Sequence, residues 1–426
     1  MPEFDNVFTY ESVPFKFGPG VTSEVGADLE RLDVKKCLVI TDPHLVGIGL
    51  VAKVTDFIER AGIQYSLFDQ VHSEPTDESW QKAIDAAQSD AFDGFVSVGG
   101  GSSIDTAKAA NLYSSHPADL FYYINEPVGK GLPIPGRLKP HIVVPTTAGT
   151  ASECTSVAVT GIKSMRLKTG ISHRYLRPDY AILDPLNTLS CPPMVTASCG
   201  IDVLCHAAES YTAIAYDQRP KPESPNARPP FVGSNPVSDM WSGKSIELVT
   251  RFLPRAVENG DDVEARSMMM LACTYAGMGF GNAGVHIPHA MGYPIAGLVE
   301  EYIPPDYPFP HPMVPHGMSV IVGAPAAFRF TARACPERHL QAASFMGENI
   351  EDANPDEAGE ILAGSFIKLM RASGIPNGIG ALGYGEEQIE SLVEGTLKQQ
   401  RLLAQSPCEA EREDLFSIFK DSVRYW

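Results

Sequence analysis

The sequence predicts an α/β domain built on a parallel sheet over residues 1–190, followed by an all-α domain over 191–426. Three observations carry that expectation. From about residue 35 to 185, short β-branched runs alternate with stretches whose apolar residues recur at helical spacing. After DPLNTLSCPP the strand-like runs almost disappear and the helical period continues to the end. The 426 residues, 44% of them hydrophobic, suffice for two cores of ordinary size.

The elements follow in order. Residues 7–25, with VFTYESVPFKFGPG, read as an N-terminal hairpin. KCLVIT (36–41), QYSLFD (64–69), GFVSVG (94–99), HIVVPT (141–146) and YAILD (180–184) read as strands. GLVAKVTDFIERAG and DESWQKAIDAAQSD read as helices between them, and such alternation implies a parallel sheet covered by helices. Helical periods follow at 195–213, 236–258, 262–283, 317–332, 338–348, 355–374, 386–403 and 410–423. Two Pro-rich loops, 216–236 and 301–315, interrupt them; loops this long inside a compact domain are usually functional or disordered.

Composition removes several functions. A net charge of −19, from 33 basic and 52 acidic residues, opposes nucleic acid or an anionic membrane as partner. No apolar run approaches the ~18 residues that span a bilayer, and the first residues lack a basic stretch followed by an apolar one. The expectation is a soluble, cytoplasmic protein. Its eight cysteines are scattered with no CxxC pair, which suggests reduced thiols rather than a disulfide framework or a zinc-cysteine site.

The chemistry-bearing motifs begin with GGGSSIDTAK (99–108), where a strand runs through glycines into a helix. Glycine lets the backbone approach a diphosphate, and helix N-terminal amides favour its charge, so Gly99, Gly100, Gly101 and Ser102 are phosphate-cradle candidates. The same pattern also suits a tight turn that binds nothing. PTTAGTASE (145–153) follows the next strand, at the place where ligands gather in open α/β sheets; Thr146 and Thr147 are its hydrogen-bonding candidates. Asp42, just after LVIT, suits either a ribose hydroxyl or a helix N-cap.

Farther on, CGIDVLCHAAES (199–210) puts Asp202 and His206 four apart, on one face of a helix. GNAGVHIPHAMGYP (281–294) supplies His286 and His289, and VPHG supplies His316. One carboxylate and several imidazoles suit a first-row divalent metal with room for a substrate oxygen. Spacing alone does not separate a ligand pair at 286 and 289 from two packed histidines.

GGGSSIDTAK, PTTAGTASE, GIDVLCHAAES, HAMGYP and VPHG stand in the order and spacing of the iron-dependent (group III) alcohol dehydrogenase family, which the chain resembles over nearly its whole length. Within that family it looks most like the hydroxyacid-oxoacid transhydrogenase branch, through RPPFVGSNPVSD (228–239), GFGNAGVHIPHAMGYPIAGLV (279–299) and DYPFPHPMVPHG (306–317). The resemblance implies a Rossmann-like dinucleotide-binding domain and a helical metal-binding domain, the dehydroquinate synthase-like fold of iron alcohol dehydrogenases. It implies Fe(2+), or Zn(2+), on Asp202, His206, His289 and His316, the catalytic set, and leaves His286 as a neighbour. It implies NAD(H) facing Asp42, Gly99, Gly100, Gly101, Ser102, Thr146 and Thr147, with Lys168 against the nicotinamide ribose. Two positions depart from the family: Tyr293 stands where many members carry a second histidine, and Glu74 where relatives often show asparagine. Asp105 and Lys108 belong to the first motif, and either contact with ligand or fixing of the turn fits them.

The activity implied by the resemblance is hydride transfer between a hydroxy acid or alcohol and an oxo acid or NAD, such as 4-hydroxybutyrate with 2-oxoglutarate. Carboxylate substrates call for an arginine; Arg219 and Arg228 are the first candidates, Arg174 and Arg177 the next, and Tyr293 a further substrate contact. An NAD-dependent alcohol or 4-hydroxybutyrate dehydrogenase that exchanges its cofactor stays open beside transhydrogenation. A lyase of related fold and an inactive binding module stand further off. The expected partners are small molecules and a second copy of the chain in a homodimer.

Overall fold

The computed structural model describes residues 4–165, 167–307 and 311–426. Residue 166 of the RLKTGIS run and residues 308–310 of the second Pro-rich loop lie outside the described residues. The chain divides into two compact units. One is Ser12–Cys191; the other joins Pro192–Trp426 to the segment before Ser12.

In the first unit the strands are β1 Phe15–Phe17, β2 Lys36–Ile40, β3 Gln64–Phe68, β4 Gly94–Gly99, β5 His141–Pro145, β6 Val157–Ile162, β7 Leu167–Ser172 and β8 Tyr180–Leu183. Six form a sheet in the order β1-β8-β5-β4-β2-β3, with every pairing parallel. Alternation along the strands sorts their side chains to two faces. Val39, Val96, Val98, Val144 and Ile182 pack with Val25, Leu29, Val54 and Ile58 on one side. Leu38, Ile40 and Phe95 pack with Ala83, Ala107 and Ala110 on the other. The chain leaves β2 for β3 at the edge and then returns past β2 to β4. The strand order therefore reverses between β2 and β4, a topological switch point.

The expected N-terminal hairpin is not formed; β1 instead lies parallel to β8, Phe15 opposite Ala181. After Phe17 the Asp184 carboxylate accepts hydrogen bonds from Gly20 N (3.0 Å), Thr22 N (3.2 Å) and Thr22 Oγ1 (2.7 Å). These contacts turn the chain into the helical turn Val21–Glu24 instead of a returning strand. A real hairpin occurs elsewhere, where β6 pairs antiparallel with β7. Its connection, which includes Lys163–Met165, lacks the Asn-Gly type of signal that makes hairpins visible in sequence.

The second unit is helical, and no strand occurs in it among the described residues. Helices Pro193–Thr212, Pro236–Glu258 and Val263–Ala283 pack on one another. Small residues allow the close approach: a Cβ on Gly279 would stand 2.3 Å from Ser242 Oγ, and one on Gly200 2.2 Å from Leu253 Cδ1. The helix expected over 317–332 is two, His316–Ile321 and Ala324–Thr331. Pro325 has no N–H to donate to the preceding turn, which breaks the period there. Residues before Ser12 join this unit because Asp5 N donates to Arg219 O (2.9 Å), Glu11 N donates to Asn282 Oδ1 (2.8 Å) and Phe4 bridges Pro220.

Candidate metal centre and nucleotide cradle

Asp202 and His206 lie in mid-helix in Pro193–Thr212, one turn apart. His289 occupies the first turn of the helix Ile287–Gly297. His316 opens the helix that follows the second Pro-rich loop. Gly317 sets how closely that helix sits: a Cβ there would stand 2.0 Å from Ser198 O and 2.8 Å from Asp202 Cβ. The consequence is a convergence of four side chains from three helices. Each offers one ligand atom, and those atoms all lie within 4.8 Å of one another.

Asp202 is at the centre of the group. Its oxygens are 3.8 Å from His206 Nδ1, 3.7 Å from His289 Nε2 and 3.9 Å from His316 Nε2. These separations are too long for hydrogen bonds and suit donors arranged about a common ion. The buried Nε2 of His289 has no hydrogen-bond partner among the described residues, as expected of a nitrogen kept for a metal. His206 is held flat, its ring stacked on Phe280 with centroids 4.0 Å apart.

Glu209 is the residue that sequence reasoning missed. It is fully buried on the same helix as Asp202, two turns on, and its Oε1 accepts from His289 Nδ1 at 2.6 Å. Its Oε2 accepts from the backbone N–H of His286 at 2.7 Å and, more loosely, of His289 at 3.3 Å. A carboxylate on Nδ1 fixes the tautomer that leaves Nε2 as the free donor. Burial alone would lower the His289 pKa, but the charge and hydrogen bond of Glu209, with Asp202, reverse this and raise it. The available signal was the seven-residue spacing from Asp202 to Glu209 inside CGIDVLCHAAES, which puts both acids on one helix face.

His286 is packed, not part of the ligand group. Its Nε2 shares a hydrogen bond with Thr212 Oγ1 at 3.0 Å, and burial drives its pKa down to about 4. Tyr293 is buried with its ring centroid 6.3 Å from that of His316. His311 is exposed.

The candidate substrate arginines have partners of their own. Arg228 grips Asp5 through Nε–Oδ2 at 2.9 Å and Nη2–Oδ1 at 3.2 Å, and the pair holds the Asp5 carboxyl below its usual range. Arg219 donates to Gln405. These contacts tie the first Pro-rich loop to the N-terminal segment and to Gln405, so each arginine already has a partner within the helical unit. Sequence hides the reason, because Asp5 falls in the range expected for the other domain. Arg177 is likewise engaged, donating Nε to Cys154 O at 3.0 Å.

In the α/β unit Asp42, the glycine turn and the two threonines follow the carboxyl ends of β2, β4 and β5, with the switch point between β2 and β4, while Lys168 lies in β7. Asp42 Oδ1 caps the short helix Pro43–Gly47 through Leu45 N at 3.0 Å. Gly99 has φ +151, and Cβ atoms on Gly100 and Gly101 would stand 3.0 and 2.7 Å from the side chains of Thr147 and Thr150. The glycines thus let the two turns close on each other, and Thr146 N donates to Gly99 O at 3.1 Å. The helix Gly101–Ser115 begins without a side-chain cap, which leaves its first amides available to an anion. Ser102 Oγ accepts from Glu74 N at 3.3 Å, and the Glu74 carboxylate pairs with Lys168. The charge of Lys168 is therefore already balanced by the very residue that departs from the family pattern.

Asp105 and Lys108 fix the turn. The buried Lys108 ammonium points at Ser152 O (2.7 Å), Ser152 Oγ (2.9 Å), Thr155 O and Oγ1 (each 3.1 Å) and Val157 O (2.7 Å). Asp105 binds Ser152 Oγ and accepts from Val159 N at 2.9 Å. Burial pulls the Lys108 pKa down to about 8 against the opposing charge of Asp105.

A parallel sheet with a glycine turn at its switch point, and a helical unit with one carboxylate and three imidazoles in convergence, are the parts of a two-unit oxidoreductase with a candidate metal site. Known proteins agree. A family model described as iron-containing alcohol dehydrogenase matches residues 14–185, and one described as the C-terminal part of the Fe-containing alcohol dehydrogenase family matches 231–423. The mitochondrial hydroxyacid-oxoacid transhydrogenase of Mus musculus is 46% identical over 424 residues, 99% of this chain and 91% of its own. The probable mitochondrial hydroxyacid-oxoacid transhydrogenase of Dictyostelium discoideum is 47% identical, over 98% of this chain and 79% of its own. The crystal structure of a 1,3-propanediol oxidoreductase superposes with TM-score 0.86 at 30% identity, covering 98% of this chain and all of that one. The chain belongs to the iron-containing alcohol dehydrogenase family.

Proposed function

We propose that the protein oxidises a hydroxy acid and reduces an oxo acid in turn, taking 4-hydroxybutyrate and 2-oxoglutarate to succinic semialdehyde and 2-hydroxyglutarate. One hydride and one proton leave the alcohol, and the same two are gained by the oxo acid. The observation that carries the reading is the convergence of Asp202, His206, His289 and His316 in a chain whose relatives at 46–47% identity bear the transhydrogenase name.

These four side chains would hold Fe(2+), with Zn(2+) suited to the same donors, and Gly99, Gly100, Gly101, Ser102, Thr146, Thr147, Asp42 and Lys168 would hold NAD(H). When bound, the ion supplies Lewis acidity toward an alcohol or carbonyl oxygen, and the nicotinamide supplies hydride exchange. The chain's own share is positioning. Glu209 holds His289 in one tautomer, Phe280 keeps His206 in plane, and the burial of Asp202, His206 and His289 keeps water from the donors. Tyr293, beside His316, offers its phenol to substrate. Glu74 holds Lys168 beside the turn bearing Ser102, a brace for a cofactor kept through both half-reactions.

The test is a substrate screen with and without added NAD and 2-oxoglutarate. Turnover that needs the oxo acid, with no accumulation of NADH, is expected. NADH accumulating from alcohol and added NAD alone would make the protein an ordinary NAD-dependent dehydrogenase. Metal analysis after anaerobic purification, followed by reconstitution with each ion, identifies the ion. Among the described residues no helix is long and apolar enough to cross a membrane. All eight cysteines are thiols, which suits a reducing compartment; we propose the cytoplasm, while the relatives are named mitochondrial, and cell fractionation decides. The proposed homodimer is read by light scattering.

A further inference from the structure

With Arg219 and Arg228 engaged in contacts of their own, another arginine of the helical unit stands on an element that packs against a ligand-bearing helix. Arg401 lies on the short helix Gln400–Leu403, which packs against Ile287–Gly297, the helix of His289 and Tyr293. It is half-buried, with its guanidinium over the Phe231 ring at 5.6 Å from the centroid. Phe231 is itself buried and anchored: the next two residues, Val232 and Gly233, donate their N–H groups to Asn282 O (2.8 Å) and Ala283 O (3.1 Å), at the end of the helix that leads into His286 and His289. Among the described residues the Arg401 side chain makes no ion pair and no hydrogen bond, only the contact with the Phe231 ring.

A half-buried guanidinium, held over an aromatic ring and lacking an acid, is prepared for a planar anion. Carboxylate is the match, because its two oxygens meet the guanidinium fork in a bidentate pair. The chemistry of the two substrates adds a constraint. In 4-hydroxybutyrate two methylene groups separate the alcohol carbon from the carboxylate, and in 2-oxoglutarate two methylene groups separate the oxo carbon from the distal carboxylate. A single cation at a fixed distance from the reacting oxygen can therefore serve both half-reactions.

Resting on the transhydrogenase reading above, we propose that Arg401, held over Phe231, receives the substrate carboxylate in both half-reactions and selects acids with that two-methylene spacing. It acts by binding and orienting, and takes no part in the hydride or proton movements.

The experiment uses the metal-loaded holoenzyme and its Arg401→Gln and Arg401→Lys variants, each first checked for an unchanged melting temperature. Kinetics are measured with 4-hydroxybutyrate and with butan-1-ol, and equilibrium binding with glutarate, an inert acid with a carboxylate at each end. In Arg401→Gln the ratio of kcat/KM for the acid to that for the alcohol should fall by about 30-fold or more, mainly through KM, since a charged partner is lost. The Kd for glutarate should rise by a similar factor. Arg401→Lys should fall between, because it keeps the charge and loses the fork. A Gln variant that keeps both the acid preference and the glutarate affinity overturns the inference. Wild-type turnover of the hydroxy acid with free NAD and no oxo acid defeats the transhydrogenase reading instead, and the acid-to-alcohol ratio still judges Arg401.

Discussion

The two sites are built in opposite ways. In the α/β unit the candidate nucleotide cradle is made of backbone: glycines and threonines at strand ends, brought together because parallel strands deliver all their carboxyl ends to one edge of the sheet. In the helical unit the candidate metal centre is made of side chains from residues 202, 206, 289 and 316, joined only by how three helices pack. A backbone site tolerates change in many side chains but depends on turn geometry. A side-chain site depends on each donor and on whatever orients it.

That contrast predicts where single changes matter most. Asp202→Asn keeps the shape and removes the only carboxylate among the four donors. It should abolish tight metal binding and lower kcat/KM by about 10³-fold or more, since the ion contributes several kcal/mol of charge stabilisation. Atomic absorption and kinetics after reconstitution check this; an Asn variant that keeps its metal and its rate would break the assignment. No comparable loss is expected from any one side chain of the cradle, including Ser102.

The next largest effect falls in the α/β unit and is one of stability. Lys108→Met would leave the acceptors of Ser152, Thr155 and Val157, and the Asp105 carboxylate, without their cation. A buried charge system broken on one side costs about 3 kcal/mol or more. Denaturant unfolding should show that loss while metal affinity stays as in the parent. If instead metal affinity falls and stability holds, the division of labour between the units is wrong.

Glu209→Gln sharpens the comparison from the other side. An amide presents one oxygen, so either His289 Nδ1–H or the backbone N–H of His286 faces an NH₂ group. Metal affinity should weaken by about 10- to 100-fold, the usual cost of losing an orienting partner behind a ligand. The dissociation constant of the ion, measured by competition with a chelator, reads this directly. Unaltered affinity would show that packing alone orients His289.

The legibility of the molecule in its sequence divides along the same line. The parallel strands were readable because Val39, Val96, Val98 and Val144 sit in short β-branched runs, and the glycine turn because it follows a strand and opens a helix. The antiparallel pair β6–β7 was not, since its connection carries no local turn signature. In the helical unit the elements were readable but their convergence was not: nothing local joins residue 202 to residue 316, and the ligand set came from resemblance to a family. Glu209 lay in plain view beside His206, yet what it does depends on residue 289. The pairing of Arg228 was hidden for the same reason, because its partner Asp5 is far away in sequence.

The smallest effect tests the α/β unit through pH. His141 is buried at the start of β5 with Nε2 2.9 Å from Ser97 Oγ. Burial, aided by the nearby Lys108 charge, drives its pKa from the ordinary 6.5 down to about 3. The folded state therefore refuses a proton that the unfolded chain accepts below pH 6.5. Stability is fully present above that value and is lost as pH falls from 6.5 toward 3, by up to ~1.4 kcal/mol per pH unit from this group. His286 and His339, both pushed down to about 4 by burial, add slope of the same sign in the helical unit. His141→Gln should remove one group's share, so the difference in unfolding free energy between metal-free wild type and variant should tilt with pH across that window and be flat above pH 7. A difference independent of pH would mean that the imidazole at position 141 titrates in the folded protein as it does in the unfolded chain, and that its burial against Ser97 does not exclude the proton.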